Sequence, residues 1–172
     1  MKPTPLFGRG LALSALIVVL DQVTKWWILE RIMMPPRLIP LTPFFNLVMT
    51  WNRGVSFGLF NNDSPYNALI LSLVALVICG VLAFWLLHAR KPVLAYGLGM
   101  VIGGAIGNLI DRIRFGAVAD FLDFHLWGYH WPAFNVADSA ITVGVAVLIA
   151  ESVFGSAQQR SKNEGLGRET SE

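Results

Sequence analysis

The segment ALILSLVALVICGVLAFWLL, Ala68–Leu87, contains no charged side chain. A helix needs roughly 20 apolar residues to cross the hydrocarbon core of a membrane, so this segment predicts a transmembrane helix. The whole chain of 172 residues has the same character, because 55% of its residues are hydrophobic, 14% are charged and its mean hydropathy is +0.58. Soluble domains carry about 25% charged residues. The composition therefore predicts an integral membrane protein and excludes a disordered, collagen-like or disulfide-stapled chain.

Apolar stretches on both sides of this segment predict three further membrane helices. They are Leu11–Leu29, Val93–Ile110 and Ala133–Ala150. Lys2 and Arg9 precede the first stretch as in a signal peptide, but Asp21 interrupts the place of a cleavage site, so we expect an uncleaved helix. We predict an all-α, four-helix membrane bundle as a single domain over residues 1–154, followed by a polar, disordered tail over residues 155–172.

The long loop between the first two helices predicts a small β structure. Its segment FFNLVMTWNRGVSFGLF, Phe44–Phe60, is rich in aromatic and β-branched residues and carries Asn52-Arg53-Gly54 in the middle. This pattern indicates a short hairpin. The hairpin is apolar enough to lie on the membrane surface.

Charge gives a weaker indication of orientation and partners. Four spans place both termini on one side, and the lysines and arginines divide almost equally between the two sides. The short Arg90-Lys91 turn favours cytoplasmic termini. A net charge of +2, without a basic stripe interleaved with aromatic residues, argues against nucleic-acid binding.

The polar residues of the chain are predicted to gather at one face of the membrane. With four alternating spans, the end of the first helix, both long loops, the end of the third helix and the start of the fourth all lie on that side. The residues are Asp21, Lys25, Asn52, Arg53, Asn108, Asp111, Arg112, Asp120, Asp123, Asn135 and Asp138. Charged side chains inside a membrane-spanning segment cost free energy, so their presence by default indicates function. We therefore expect the functional site at this face.

Two groups of polar helix residues each allow two interpretations. Asp21 and Lys25 share a helix face, either as a simple ion pair or with Lys25 supporting the carboxylate of another chain or a lipid phosphate. In the third helix Gly104, Asn108, and Asp111 together with Arg112 form one polar stripe. That stripe is either a packing surface with a wet last turn or a hydrogen-bonding shell around a reacting group, with Arg112 as its fixed cation.

The carboxylates of the second loop suggest paired acid chemistry. Asp138 and one of Asp120 or Asp123 would share a proton, so that one member activates water and the other polarises a carbonyl. The plainer interpretation is an acid at a helix N-terminus and two solvated loop acids. The residues alone do not choose between Asp120 and Asp123. A metal site that also uses His125 and His130 is disfavoured, because the loop lacks the spacing of helical zinc motifs.

Four blocks of this sequence resemble the lipoprotein signal peptidase (signal peptidase II) family, which consists of bacterial inner-membrane aspartic proteases. The blocks are DQVTK (Asp21–Lys25), WNRGVSFG (Trp51–Gly58), GGAIGNLIDRIRFGAVADF (Gly103–Phe121) and FNVADSAI (Phe134–Ile141). They occur in the order of the family and extend over most of the chain. Together they are specific, although each block alone is weak.

The resemblance implies which residues form the site. It implies that Asp120 and Asp138 are the catalytic pair and that Asp123 is not a member. Residues implied or expected to support the site or bind substrate are Asn52, Arg53, Asn108, Arg112, Asn135, Asp21, Lys25, Gly104, Asp111, Val118 and Ala137. The family has a four-helix membrane bundle with an extracytoplasmic β-cradle, which agrees with the predicted hairpin.

The resemblance also implies the reaction and its partners. The substrate is a prolipoprotein whose cysteine carries a diacylglyceryl group, and cleavage falls on the amino side of that cysteine. We expect no metal or organic cofactor, contact with membrane lipids, a monomer, and an inner-membrane location with the site at the outer face. An alternative is a small ion-coupled transporter in which Asp21, Asp111 and Arg112 line a path. A non-catalytic assembly scaffold is a third interpretation.

Overall fold

The computed structural model describes residues 4–54 and 66–169, with side chains through residue 154. Its four helices are α1 (Pro5–Trp27), α2 (Asn67–Leu87), α3 (Pro92–Phe115) and α4 (Val136–Glu169). A π-helical turn, Ile28–Ile32, extends α1. In the described residues four segments are long and apolar enough to cross a membrane, namely Pro5–Ile32, Asn67–Leu87, Pro92–Phe115 and Val136–Phe154. The predicted four-helix membrane bundle is confirmed.

An antiparallel sheet covers one end of the bundle, which we call the sheet end. Its strands are β1 (Ile39–Thr42), β2 (Phe45–Asn52), β3 (Val118–Leu126) and β4 (Tyr129–His130), hydrogen-bonded in that order. The first two strands come from the loop between α1 and α2, and the other two come from the loop between α3 and α4. The sheet therefore joins the two long loops above the helix ends.

The small β structure predicted in the first loop is confirmed, and its described strands β1 and β2 form an antiparallel hairpin. The turn of the β1–β2 hairpin lies at Pro43 and Phe44, whereas Asn52 ends β2. The second neighbour of β2 is β3, and Asn52 pairs with Val118. A local pattern marks a segment as β-prone but does not specify a partner that lies far away in the chain. The rest of the predicted hairpin, residues 55–60, lies outside the described residues.

Helix α3 occupies the centre of the bundle and packs against the three other helices. In its most apolar window 61% of the residues are buried, against 11% in α2. Glycines allow this close packing: a Cβ on Gly99 would lie 2.5 Å from the carbonyl oxygen of Gly10 in α1. Small residues let helix backbones approach closely in a membrane, where lipid is as apolar as leucine.

The chain leaves α3 through a glycine and enters the sheet directly. Gly116 has φ +71°, a left-handed conformation that favours glycine, and its N–H donates to the carbonyl of Arg112. Strand β3 begins two residues later at Val118. After β4, Phe134 forms a bridge with Leu122 of β3, and α4 begins at Val136. These connections bring the start of α4 back beside β3.

Helix α4 extends further than expected. It is helical to Glu169 and so includes most of the segment for which the composition predicts a disordered tail. Helix propagation is easier than helix nucleation, so a membrane helix can continue into a polar segment that would not form a helix alone.

Candidate active site

Two carboxylates meet at the sheet end, one from the sheet and one from a helix. Asp120 lies in β3 and is buried, whereas Asp138 lies in the first turn of α4 and is half-buried. The side chain of Asn135 joins the carboxylate of Asp120 to the backbone of Asp138. Its Nδ2 donates to Oδ1 of Asp120 over 2.7 Å, and its Oδ1 accepts the backbone N–H of Asp138 over 2.9 Å.

Amide groups also hold the carboxylate of Asp138. The Nδ2 of Asn108 in α3 donates to Oδ1 of Asp138 over 2.7 Å. The backbone N–H of Asn135 donates to Oδ2 over 3.2 Å. Asn135 and Asp138 thus cap each other at the start of α4, as in a capping box. The carboxylate of Asp138 is thereby oriented while one side remains accessible.

Asp120 accepts hydrogen bonds from two amide side chains and is almost completely buried. In addition to Asn135, the Nδ2 of Asn52 at the end of β2 donates to Oδ2 of Asp120 over 3.1 Å. Burial and the nearby charge of Asp138 raise the pKa of Asp120 to about 7, against the lowering effect of hydrogen bonds from Asn52 and Asn135. A carboxyl with such a pKa beside a second carboxylate can keep a shared proton near neutral pH.

Arg112 provides the cation of this site. It projects from the last turn of α3, where the charges of Asp138, Asp120 and Asp111 all act on it. Its guanidinium donates to the carbonyl oxygens of Gly54 over 3.4 Å and of Asn108 over 3.5 Å. Arg112 therefore links the end of β2 with α3 and offsets part of the negative charge of the two carboxylates.

Beneath the carboxylates lies a layer of buried charges. The Nζ of Lys25 is 2.8 Å from Oδ2 of Asp21 and 2.8 Å from Oδ2 of Asp111, and the three side chains are at most 3% exposed. Lys25 also donates to Oδ1 of Asn108 over 3.1 Å. The interpretation of Asp21 and Lys25 as an ion pair describes this arrangement, with Asp111 as a third member. Lys25 is too deeply buried to reach a lipid phosphate.

Asp123 belongs to a different cluster. Asn46 donates to Oδ2 of Asp123 over 2.8 Å, and Nδ1 of His130 lies 2.9 Å from both of its carboxylate oxygens. Burial alone would raise the pKa of Asp123, but hydrogen bonds from Asn46 and His130 and the charges of His130 and His125 hold it below its usual value. Of the two candidate partners of Asp138, only Asp120 shares its hydrogen-bond network. In the described residues no group of three or more His, Cys, Asp and Glu side chains is arranged to hold a metal ion.

The remaining predicted residues surround the carboxylates in different ways. A Cβ on Gly104 would collide with the carbonyl oxygen of Ala137, so glycine is needed for α3 and α4 to touch there. Val118 and Ala137 are buried next to the site, and Arg53 is exposed at the end of β2.

Sequence reasoning missed Gln22, whose Nε2 donates to Oδ2 of Asp21 over 3.2 Å and Oδ1 of Asp111 over 3.0 Å. Its polarity within an apolar helix was the available signal.

Two clefts meet at Asp138. The first has a volume of about 390 Å³ and runs from Arg112 and Asp138 along the apolar side chains of α2, including Val74 and Ile78. The second has a volume of about 570 Å³ and is lined by aromatic and small residues, namely Phe124, Trp131, Pro132, Ala133, Phe134, Ser139, Thr142 and Val143. The half-buried carboxylate is therefore accessible from two largely apolar surfaces.

Four membrane-length helices with a small sheet at one end are also the fold of solved bacterial membrane enzymes. Two solved structures, each described as a bacterial membrane enzyme, superpose on this chain. The first has a TM-score of 0.79 at 26% identity and covers 92% of this chain and 95% of its own. The second has a TM-score of 0.74 at 28% identity and covers 87% and 95%.

Sequence comparison identifies the family. The family model described as signal peptidase (SPase) II matches residues 13–154. A lipoprotein signal peptidase of Methylobacterium sp. (strain 4-46) is 43% identical over 87% of this chain and 91% of its own length. One from Desulforapulum autotrophicum is 44% identical over 82% and 89%. The chain belongs to the signal peptidase II family, which confirms the resemblance of the sequence motifs.

The transporter interpretation has no support from these findings. Among the residues that the structure describes, the buried charged side chains all lie at the sheet end; they are Asp21, Lys25, Asp111, Asp120 and Asp123. A transport path would require polar groups along the depth of the membrane. The described helices instead pack through apolar and glycine surfaces toward the opposite end.

Proposed function

We propose that this protein is an aspartic endopeptidase that removes the signal peptide from diacylglyceryl-modified prolipoproteins, cleaving on the amino side of the lipidated cysteine. The observation that carries the proposal is the bridging of Asp120 and Asp138 by Asn135 at the end of the membrane-spanning helices. A lipid-anchored peptide presents its scissile bond at that depth. The names of the relatives support this substrate class.

The proposed reaction uses the two carboxylates in complementary states. With one proton shared by the pair, the ionised member takes a proton from water, and the resulting hydroxide attacks the scissile carbonyl carbon. The protonated member donates a hydrogen bond to the developing oxyanion. When the tetrahedral intermediate collapses, the C–N bond breaks and a proton passes to the amine of the new N-terminal cysteine.

The neighbouring side chains prepare the pair for this reaction. Asn108, Asn135 and Asn52 donate to the carboxylates and so orient them before substrate arrives. The charge of Arg112 favours a pair that carries one negative charge, and it also limits the repulsion as charge develops. Catalysis in this proposal depends on side chains of this chain alone, without a metal or organic cofactor.

The two clefts suit a substrate with two apolar parts. A prolipoprotein carries an apolar signal helix before the scissile bond and a diacylglyceryl group after it. The clefts meet at Asp138, and their walls are largely apolar. Burial of such groups supplies binding energy of about 25 cal/mol per Å² of apolar surface. The proposal thus places one apolar part on each side of the catalytic pair.

The location follows from the same reasoning. We infer that the protein resides in the bacterial inner membrane as a monomer, with cytoplasmic termini and with the site at the outer face in contact with lipids. The signal peptide of an exported lipoprotein emerges on that side. The Arg90-Lys91 turn between α2 and α3 then faces the cytoplasm, as the positive-inside rule favours.

A cleavage assay tests the substrate and the catalytic type together. The purified protein in detergent micelles is given a diacylglyceryl-modified prolipoprotein, or the same prolipoprotein without lipid, with a chelator present throughout. We expect cleavage of the lipidated form only, with the lipidated cysteine as the new N-terminus by mass spectrometry. Asp120→Asn should be inactive, whereas Asp123→Asn should retain most activity because Asp123 lies in a separate cluster. Cleavage that chelation abolishes, or that Asp120→Asn retains, would contradict the aspartic mechanism.

A further inference from the structure

The tripeptide Val-Ala-Asp occurs twice in this chain and ends each time at one of the two site aspartates. The first copy is Val118–Asp120 in β3, and the second is Val136–Asp138 at the start of α4. Both alanines are almost completely buried, at 1% exposure for Ala119 and 0% for Ala137. The same three residues thus precede both carboxylates, although one copy is a strand and the other is the first turn of a helix.

Each alanine donates its backbone N–H to a carboxylate from the buried charge layer. The N–H of Ala119 donates to Oδ2 of Asp111 over 3.1 Å. The N–H of Ala137 donates to Oδ1 of Asp21 over 3.0 Å. Lys25 lies 2.8 Å from both of these aspartates, so the two anchoring carboxylates are joined through one cation.

We propose that Asp21 and Asp111 are positioning residues, each of which fixes the peptide immediately before one of the two catalytic aspartates, with Lys25 holding the two anchors at a set separation. This inference rests on the proposed function. The catalytic carboxylates must lie in the correct places relative to each other and to water, and a misplacement of about 1 Å can reduce a rate by about 100-fold. The anchors act through the backbone, so they need not touch substrate.

Packing around the anchors leaves little room for another arrangement. A Cβ on Gly107 would lie 2.6 Å from Oδ2 of Asp21 and 3.3 Å from Cβ of Ala137. Gln22 also donates to the carbonyl of Gly107 over 3.2 Å, in addition to both anchoring carboxylates. The carboxylates, the alanine and α3 are therefore in close contact, and a small shift of an anchor is transmitted to the peptide it holds.

The competing explanation is that the buried charges contribute only to folding. Leucine separates the two explanations because it branches at Cγ as aspartate does but accepts no hydrogen bond. After Asp111→Leu, Lys25 keeps Asp21 and Asn108, and Gln22 keeps Asp21 and the carbonyl of Gly107. The group that loses its partner is the N–H of Ala119. Asparagine at position 111 keeps an oxygen that can accept that N–H.

The experiment compares Asp111→Leu with Asp111→Asn, and Asp21→Leu with Asp21→Asn, in the full chain. For each variant, kcat and KM for the lipidated prolipoprotein are measured together with the melting temperature in detergent. We expect the leucine variants to lose about 100-fold in kcat with KM within about twofold of wild type, and the asparagine variants to stay within about fivefold. Glu151→Leu is the matched control, since it removes the exposed ion pair with Lys91, 2.6 Å long, at the opposite end of the bundle.

Several outcomes would overturn the inference. Leucine variants that retain kcat would show that the anchors are not needed, and equal losses in the leucine and asparagine variants would show that the accepted N–H is not the cause. Leucine variants that unfold while the asparagine variants stay folded and active would assign the anchors to folding. Failure of the proposed function looks different: in that case wild type itself does not cleave the lipidated substrate, or Asp120→Asn remains active. A loss in kcat rescued by asparagine at both positions supports the inference.

Discussion

The helix bundle is built differently at its two ends. At the sheet end, α1 and α3 bury charged and amide side chains, among them Asp21, Lys25, Asn108 and Asp111, and the sheet adds Asp120. At the opposite end the core is apolar and consists of Leu86, Ala89, Ala95, Leu98 and Ile102. An ion pair at that end, between Lys91 and Glu151, lies at the surface and not in the core.

The difference indicates that one end of the bundle orients polar side chains, whereas the other end packs the helices together. Buried polar groups are costly in a membrane protein and add little stability compared with well-packed apolar groups. Their concentration at one end, where each buried carboxylate of the described residues has defined donors, indicates that they serve a site. The opposite end contributes close helix contacts, so substitutions there should change stability and leave the chemistry alone.

The largest expected effect comes from neutralising the proposed catalytic pair, Asp120 and Asp138. Asp120→Asn and Asp138→Asn each remove the ability to share a proton, so cleavage of lipidated prolipoprotein should fall by about 1,000-fold or more. The melting temperature in detergent should stay close to that of wild type, because asparagine keeps the size of the side chain. A variant of either residue with a tenth of the wild-type rate would show that the sheet end does not work as a carboxylate pair.

The dependence of rate on pH comes next in size. Because the pKa of Asp120 is raised to about 7, the shared proton is lost as pH rises through that value. Both carboxylates are then charged, and kcat/KM should fall about tenfold for each pH unit above about 7. Asp123→Asn should leave this limb in place, since Asp123 lies outside the pair. A rate that stays constant across the alkaline range would contradict the shared proton.

Glycine packing should affect stability and not chemistry. A Cβ on Gly99 would lie 2.5 Å from the backbone oxygen of Gly10, which can move only with α1, so Gly99→Ala should cost about 1–3 kcal/mol. Gly80 in α2 has no such neighbour within 4 Å, and Gly80→Ala is the matched control. Thermal unfolding in detergent should separate the two variants by several degrees. Equal melting temperatures would show that the close contact between α1 and α3 is not needed.

The smallest effect is expected at the exposed ion pair of the opposite end. Glu151→Gln removes its partnership with Lys91, and exposed pairs contribute about 0–1 kcal/mol. Both the melting temperature and kcat should therefore remain near the wild-type values. A large loss of activity from this variant would mean that the two ends are coupled, and the separation described above would then be wrong.

The sequence predicts the helices and the gathering of polar residues at one end of the bundle well, because both depend on local composition and on simple alternation of spans. The segment Ala68–Leu87 lies within the observed α2, and the polar residues gather at one end because four consecutive spans leave no other arrangement. The family motifs add the choice of Asp120 over Asp123. A strand supplies the physical reason for that choice, since residues three apart point to opposite faces of a sheet.

Local sequence patterns do not predict the strand order of the sheet or the hydrogen bonds from Ala119 and Ala137 to Asp111 and Asp21. Strand β2 pairs with β3 across a long stretch of chain that includes α2 and α3, so its partner is set by tertiary structure. The bonds from Ala119 to Asp111 and from Ala137 to Asp21 use backbone N–H groups, which carry no signature in the sequence. The repeated Val-Ala-Asp was visible, but its meaning depends on the carboxylates that meet it in space.

The apolar wall of the first cleft has a consequence for how substrate is found. Val74 and Ile78 line that cleft and are also exposed on a membrane-length helix, so the cleft is continuous with the lipid-facing surface. A lipid-anchored substrate can then enter by diffusing sideways within the bilayer, without passing through water. The encounter is a search in two dimensions, and the relevant concentration is the number of substrate molecules per unit area of membrane.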